Sequence, residues 1–368
     1  MIVNISDSEF KRIFSNKNFY LPIRWDNKNF LSTLRKLFDN YIKVIEQEYV
    51  DNSWKSDIQI DIKKVKRVTT LILSTVDKYL NGFPAKAFET FKRLMALLEQ
   101  TPLKTYYKSI FEQLENVRYH DTLNLFRITC VNDNIPYSRS RVFHTPYYLR
   151  SKVSTSRYSI AGFPSLYLGT SLELCCEEVH LNPHEQFALA SRFQLERSFE
   201  YNNIEIKVIE LAIKPQDFLG ESNSNENYRN SRVIDRNVLK RTSLREAYLL
   251  WYPLIAACSF IRVNKKDPFA SEYIIPQLLM QWVRSEMGTP KKDYNRLVGI
   301  RYFSCASKKA SDMGFNYVFP ASGTQTKDSF CPTLANAFKL TKPYFLHEYS
   351  NTYSCETALR NDYDLDFI

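Results

Sequence analysis

The feature that most constrains this chain is a change of hydrophobic period near residue 120. Before it, apolar residues recur every three or four positions. Between residues 29 and 46 the stripe runs Phe30, Leu31, Leu34, Leu37, Phe38, Tyr41 and Ile45, the spacing of one face of an amphipathic helix. Residues 68–80 and 84–98 repeat the pattern, with Pro84 and Pro102 placed where a first helical turn accepts proline. Ile58, Ile60 and Ile62 alternate with polar residues and predict one short strand. After residue 122 the period shortens. Residues 123–130, 205–213, 299–304 and 316–320 read as strands, and 244–260 and 276–287 as helices, the former kinked or broken at Pro253.

This alternation predicts an α+β chain: a helical amino-terminal domain over residues 1–118, a mixed α/β domain over 119–345, and a loosely held polar tail over 346–368. The polar stretch 217–241, rich in Asn, Ser and Arg, reads as a long excursion from the second domain.

Composition enters by exclusion. Only 8 glycines are present, and no Gly-rich phosphate loop or dinucleotide-fold fingerprint occurs, so a bound nucleotide must be held some other way. With 50 basic and 40 acidic residues the formal charge is +10, which favours anionic partners and leaves nucleic acid open. The 7 cysteines form no C-x-x-C and no zinc-spaced set with histidine. Their odd number and the lack of an export signal predict a reducing, cytoplasmic setting, with no metal and no membrane span.

The chemistry concentrates in residues 157–179. Arg157 and Tyr158 precede a Gly162-Phe163-Pro164 turn, a strand from Ser165 to Leu168, and a helix carrying Glu177 and Glu178. A cation, an aromatic hydroxyl and an acid on one short unit suit an anionic, ring-bearing ligand.

Four blocks in order resemble the RES domain family, across about residues 120 to 320. They are Phe126-Arg127; Arg157-Tyr158-Ser159 with Gly162, Pro164 and Tyr167; Glu178-Val179; and residues 299–304 ending in Ser304, followed by Asn316. Tyr167 and Glu178 stand at the family's spacing. Residues 143–150 and 272–279 resemble a longer subgroup whose helical amino-terminal region is called HEPN-related. The chain departs from the pattern at Tyr158, where the family commonly has tryptophan, at Cys176, and in the long gap between Glu178 and Ser304.

The resemblance implies a fold like that of diphtheria-toxin-like ADP-ribosyltransferases. It implies NAD+ as substrate, with the nicotinamide bond broken by hydrolysis or phosphorolysis, or ADP-ribose transferred to a macromolecule. It also implies a toxin or defence effector silenced by an antitoxin or other regulatory protein, and the domain order predicts a regulatory or self-associating role for the amino-terminal domain. Within it, Arg127 and Arg157 suit the diphosphate, because a guanidinium matches phosphate oxygens in pairs. Tyr158 or Tyr167 offers a stacking face, and His144 a lining position. Glu178 suits the positive charge that develops on ribose as nicotinamide leaves, and Ser304 a hydrogen bond to the carboxamide or ribose.

Plainer readings stand beside these. Arg127 serves equally in an ion pair, Arg157 in a loop, Tyr167 in a core, Ser304 in a strand and His144 as a structural histidine, and Glu177 and Glu173 compete with Glu178. Rival functions are ADP-ribosylation of a protein or nucleic acid, an inactive nucleotide- or nucleic-acid-binding module, and a HEPN ribonuclease using Arg139 and His144. The last is disfavoured because that pair lies outside the helical region.

Overall fold

The computed structural model describes residues 2–26, 28–47, 58–100, 104–106, 124–181, 187–196, 205–219, 241–288, 296–322 and 329–368. Pro102, most of the 217–241 stretch and the end of the expected amino-terminal domain lie outside these residues. The chain resolves into two units, one of Met1–Leu103, Ile213–Asn223 and Val233–Trp282, the other of Lys104–Ala212, Ser224–Arg232 and Val283–Ile368.

In the first unit, strands β1 (Ile2–Ile5) and β2 (Ile58–Asp61) pair antiparallel, with Val3 opposite Ile60. Ser6 and Glu9 form a capping box that opens the helix Asp7–Ser15. Helices Phe30–Gln47, Ile62–Leu80 and Pro84–Leu98 bury the apolar stripes read from the sequence. Helix Thr242–Ala257 belongs here too, so the unit is not a continuous amino-terminal block. The reason is burial: Arg245 and every residue from Ala247 to Ala257 are buried, and a helix apolar on all sides needs a core around it. Tyr248 and Tyr252 provide it, with Tyr252 4.6 Å from Tyr41 and Tyr248 5.3 Å from Phe14, ring to ring.

This helix continues through Pro253 without a break, one of the two outcomes expected there. Proline has no N–H for the carbonyl four residues back, which is Leu249. The buried Tyr41 hydroxyl donates to that carbonyl instead, at 2.8 Å. A tertiary hydrogen bond thus replaces the helical one that proline removes.

The second unit holds a nine-stranded mixed sheet among the described residues, made of β3 (Lys104–Tyr106), β4 (Asn124–Val131), β5 (Ser165–Gly169), β6 (Phe187–Leu195), β7 (Glu205–Leu211), β8 (Arg296–Phe303), β9 (Phe315–Pro320), β10 (Phe338–Leu340) and β11 (Tyr344–Phe345). The order is β10-β6-β4-β5-β9-β8-β7-β3, with β11 also on β6. Only β7 and β8 run parallel. The chain is therefore α+β, as expected, while β1, β3, β6, β10 and β11 are strands beyond those expected from the apolar spacing.

Across four central strands the register aligns Phe126, Gly169, Asn316 and Tyr302 in one row. Gly169 makes a notch in that row: a Cβ there would lie 2.8 Å from Cys175 Sγ. The helix Leu172–Val179 fills the notch, burying Leu172, Leu174 and Cys175. Ser171 caps its start, accepting from Leu174 N–H at 3.2 Å.

The carboxyl-terminal tail is not loose. Helix Thr352–Arg360 buries Cys355 and Leu359 in the same cluster as Phe126, Leu172 and Cys175. Its Glu356 accepts from Leu172 N–H at 2.8 Å, at the positive end of the helix that carries Glu178. Two apolar residues four apart, set in an otherwise polar run, are enough to anchor it.

Candidate functional site

Glu178 lies in the last turn of its helix, half-buried, and its Oε1 accepts from Asn316 Nδ2 at 2.5 Å. Asn316 stands on β9 beside Tyr302 of β8. Tyr302 gathers the remaining groups. Its hydroxyl is pushed well above the ordinary phenol range, first by burial, then by Glu178, Tyr167 and Tyr158, while Arg157 acts in the opposite direction. These four side chains therefore lie close enough to Tyr302 to act on it. The Tyr158 ring sits 4.7 Å from the Tyr302 ring at 53°. Arg157 and Tyr158 are both buried, at 8% and 1% exposure, so neither is an ordinary surface residue. The structure brings together Arg157, Tyr158, Tyr167 and Glu178, and adds Tyr302 and Asn316.

A tight backbone turn sets the Arg157–Tyr158 pair. Ser156 and Ser159 exchange backbone hydrogen bonds of 2.9 and 3.2 Å across it. Their hydroxyls also hold Tyr167. Ser159 Oγ donates to Ser165 Oγ at 3.0 Å. Having one proton, it must accept from the Tyr167 hydroxyl at 2.8 Å, and the Tyr167 oxygen in turn accepts from Ser156 Oγ at 2.6 Å. Arg284 anchors the far end, donating to Ser165 Oγ at 3.2 Å and to the carbonyl of Pro164 at 2.7 Å. The Tyr167 proton is committed within this relay, so Tyr167 offers a ligand its ring rather than a hydroxyl donor.

Arg127 also reaches β5, donating to the Tyr167 carbonyl at 3.0 Å. It is half-buried, and its Nε is enclosed without a hydrogen-bond partner. Burial pushes its pKa down to about 10, partly offset by Cys175 and Tyr167.

Three candidates are used by the fold itself. His144 is fully buried; its Nδ1–H donates to the Thr145 carbonyl and its Nε2 accepts from Cys331 N–H, each at 2.9 Å. Burial, with Arg127 and Arg284 nearby, pushes its pKa down to about 4 against the Thr145 bond. Both nitrogens are occupied by backbone, so the ring is held neutral. Arg139 likewise donates to the carbonyls of Leu340 and Asp364 and pairs with the Asp364 carboxylate at 2.9 Å. Ser304 is buried and accepts from Ala306 N–H at 3.1 Å, closing a turn after β8.

On the opposite face of β8, Arg301 pairs with Glu210 at 2.9 Å, both buried, with the guanidinium 4.0 Å from the Phe315 ring. All seven cysteines are free; burial raises the Cys175 and Cys176 thiols, the latter to about 12, which disfavours a thiolate nucleophile on this helix. Among the described residues, no group of three or more His, Cys, Asp and Glu is arranged to hold a metal, and no helix is long and apolar enough to cross a membrane.

Sequence reasoning passed over Tyr302, Ser156, Arg284 and the role of Asn316. The Ser-x-x-Ser spacing around Arg157-Tyr158 was the one available signal, and it reads as a turn. The chain is similar to a Bacillus subtilis (strain 168) protein named "Putative toxin YopC", with 28% identity over 309 residues, 82% of this chain. That alignment spans 63% of the relative's length. No family model matches the chain, and no solved structure matches it.

Proposed function

We propose that this chain is a toxin that consumes NAD+ by breaking the bond between nicotinamide and ribose. The observation that carries the proposal is the Glu178 carboxylate, oriented by Asn316 within the group formed by Arg157, Tyr158, Tyr167 and Tyr302. The likeness to a protein named as a toxin supports the toxic role.

In this reading the electron pair of the C1′–N bond leaves with nicotinamide, which departs neutral, and positive charge develops on the ribose. Glu178 stabilises that charge, and Asn316 keeps the carboxylate from turning away. Water or phosphate then adds at C1′ and loses a proton. Arg157 and Arg127 neutralise the diphosphate; Tyr158 and Tyr167 supply ring faces. Tyr302, held neutral, adds no competing charge. The sheet-bearing part carries an ADP-ribosyltransferase-like fold, and the amino-terminal helices carry regulation or self-association. A partner protein restrains the activity, since unchecked NAD+ loss stops growth.

The test is cellular NAD+ after induced expression of the wild type and of Glu178→Gln. The expected result is a fall that vanishes in the variant. Unchanged NAD+ with toxicity that still needs Glu178 favours ADP-ribosylation of a macromolecule. Unchanged NAD+ with no dependence on Glu178 overturns both.

A further inference from the structure

The helix that carries Glu178, Leu172–Val179, is only 8 residues long. A helix this short is marginal on its own, so its place and rotation are set by what holds its ends and its buried face. Its carboxyl end is closed by its own chain. His180 takes a left-handed φ of +52°, and the N–H groups of His180 and Leu181 donate to the carbonyls of Glu177 and Cys176, at 3.3 and 3.1 Å. Its amino end is held partly from outside. Ser171 serves the N–H of Leu174, and the first N–H of the helix, that of Leu172, donates to Glu356 Oε2 at 2.8 Å. Glu356 lies 184 positions further along the chain.

Glu356 is itself fixed. Its other oxygen, Oε1, accepts from Arg360 Nε at 3.1 Å and Nη2 at 2.7 Å, one turn further along helix Thr352–Arg360. The Arg360 guanidinium lies 5.0 Å from the centroid of the Phe126 ring. Cys355 and Leu359 of the same helix are fully buried, in one cluster with Phe126, Leu172 and Cys175. The carboxyl-terminal helix is thus seated on β4 and on the Glu178 helix at once, and from that seat it presents one carboxylate to the helix's first N–H. The negative charge also suits the positive end of the helix. Leu172 and Glu178 stand about 9 Å apart along the helix axis. Glu356 therefore acts on Glu178 through the helix and does not reach the ligand.

We infer that Glu356 is a positioning residue, and that the carboxyl-terminal helix is a brace that sets how Glu178 faces Asn316. Its part in turnover rests on the NAD+ reading; its hold on the Glu178 helix stands on the geometry alone. Without the Glu356 bond the short helix is free to turn or fray at its first residue, and the carboxylate at its other end loses its aim. Misplacing a reacting group in this way slows the chemical step and leaves ligand binding as it was.

The experiment compares the full-length wild type with Glu356→Leu, which fills the space without an acceptor, and Glu356→Gln, which keeps one. Nicotinamide release from NAD+ and amide hydrogen exchange of residues 172–179, followed by mass spectrometry, are measured on each. The expected result for Glu356→Leu is kcat lower by about tenfold at unchanged KM, with exchange at 172–179 about tenfold faster and exchange in β7 and β8 unaltered. Glu356→Gln should bring both back to within about threefold of the wild type. Wild-type kcat in Glu356→Leu overturns the inference, as does a raised KM at unchanged kcat. Exchange that rises equally in β7 and β8 also overturns it, because that is the mark of a merely structural residue. If the wild type releases no nicotinamide, the NAD+ reading fails and exchange alone decides. Faster exchange confined to 172–179 in Glu356→Leu then upholds the brace, and unchanged exchange overturns it. Should Glu356→Leu not fold, Glu356→Asp decides, since a carboxylate one methylene shorter falls short of the Leu172 N–H: wild-type kcat and exchange in that variant overturn the inference.

Discussion

The aromatic core of the first unit and the central strands of the second handle buried polar atoms in opposite ways. In the first, the buried hydroxyls of Tyr41, Tyr248 and Tyr252 each donate to a backbone carbonyl, of Leu249, Ile213 and Phe19. Each of these three hydroxyls is neutral and satisfied, and the charge buried beside them, Arg245, is paired with Asp7. In the second, buried or half-buried side chains include Arg127, Arg157, Glu178, Glu210, Arg284 and Arg301, gathered on neighbouring strands and the segments beside them. Charge taken out of water costs free energy unless it is paired, and an apolar core of equal volume is often the more stable solution. A sheet that keeps such groups on both of its faces gives up stability there, and functional sites commonly do the same.

The contrast breaks most readily at the buried ion pair. Arg301→Met leaves Glu210 charged and enclosed and should lower stability by about 3–5 kcal/mol in urea unfolding. The double change Glu210→Leu with Arg301→Met should recover most of that loss. A harmless single variant would mean that charge is cheap in this sheet and that the comparison has no force.

Next in size is Glu178→Gln, which keeps a hydrogen-bonding group beside Asn316 but removes the charge. NAD+ consumption should fall by about a hundredfold or more, with the melting temperature nearly unchanged. A large loss of stability with no loss of activity would return Glu178 to a structural role.

His144 tests the same region through pH. Its folded-state pKa lies near 4, below the ordinary value of 6.5, so the unfolded chain binds the proton more readily. Its contribution is complete above about pH 6.5 and is lost as pH falls toward 4, with about 2 kcal/mol gone by pH 5. Urea midpoints at pH 7 and pH 5 should show this, and His144→Gln should flatten the difference. An unaltered slope in the variant would place the pH dependence elsewhere.

The smallest effect sharpens the other side. Tyr41→Phe leaves the Leu249 carbonyl without a partner beside Pro253 and should cost about 1–2 kcal/mol, measured in the same unfolding assay. NAD+ turnover should not change, because a neutral bond in a packing core carries no chemistry.

Much of this architecture is legible in local pattern alone. A buried stripe leaves its mark within a few residues, so the helices Phe30–Gln47 and Pro84–Leu98 and the strands β4, β5, β8 and β9 stand where the sequence pattern puts them, while helix Ile62–Leu80 starts six residues before the expected 68 and takes in Ile62, which the alternation had assigned to a strand. It was the resemblance to a family's blocks, not apolar spacing, that singled out Glu178 from its neighbours, and Arg157 and Tyr158 from the many scattered Arg and Tyr. What spacing does not encode is the partner. Asn316 and Glu178 are 138 positions apart, Cys331 and His144 are 187 apart, and Tyr41 and Leu249 are 208 apart. Only tertiary structure decided that Glu178 is oriented by an amide, that His144 is locked by two backbone groups, that Arg284 governs Tyr167 through serines, and that Pro253 leaves its helix whole. Burial preference is a property of each side chain and can be read from sequence. A hydrogen bond is a property of two atoms at one distance, and folding alone sets that distance.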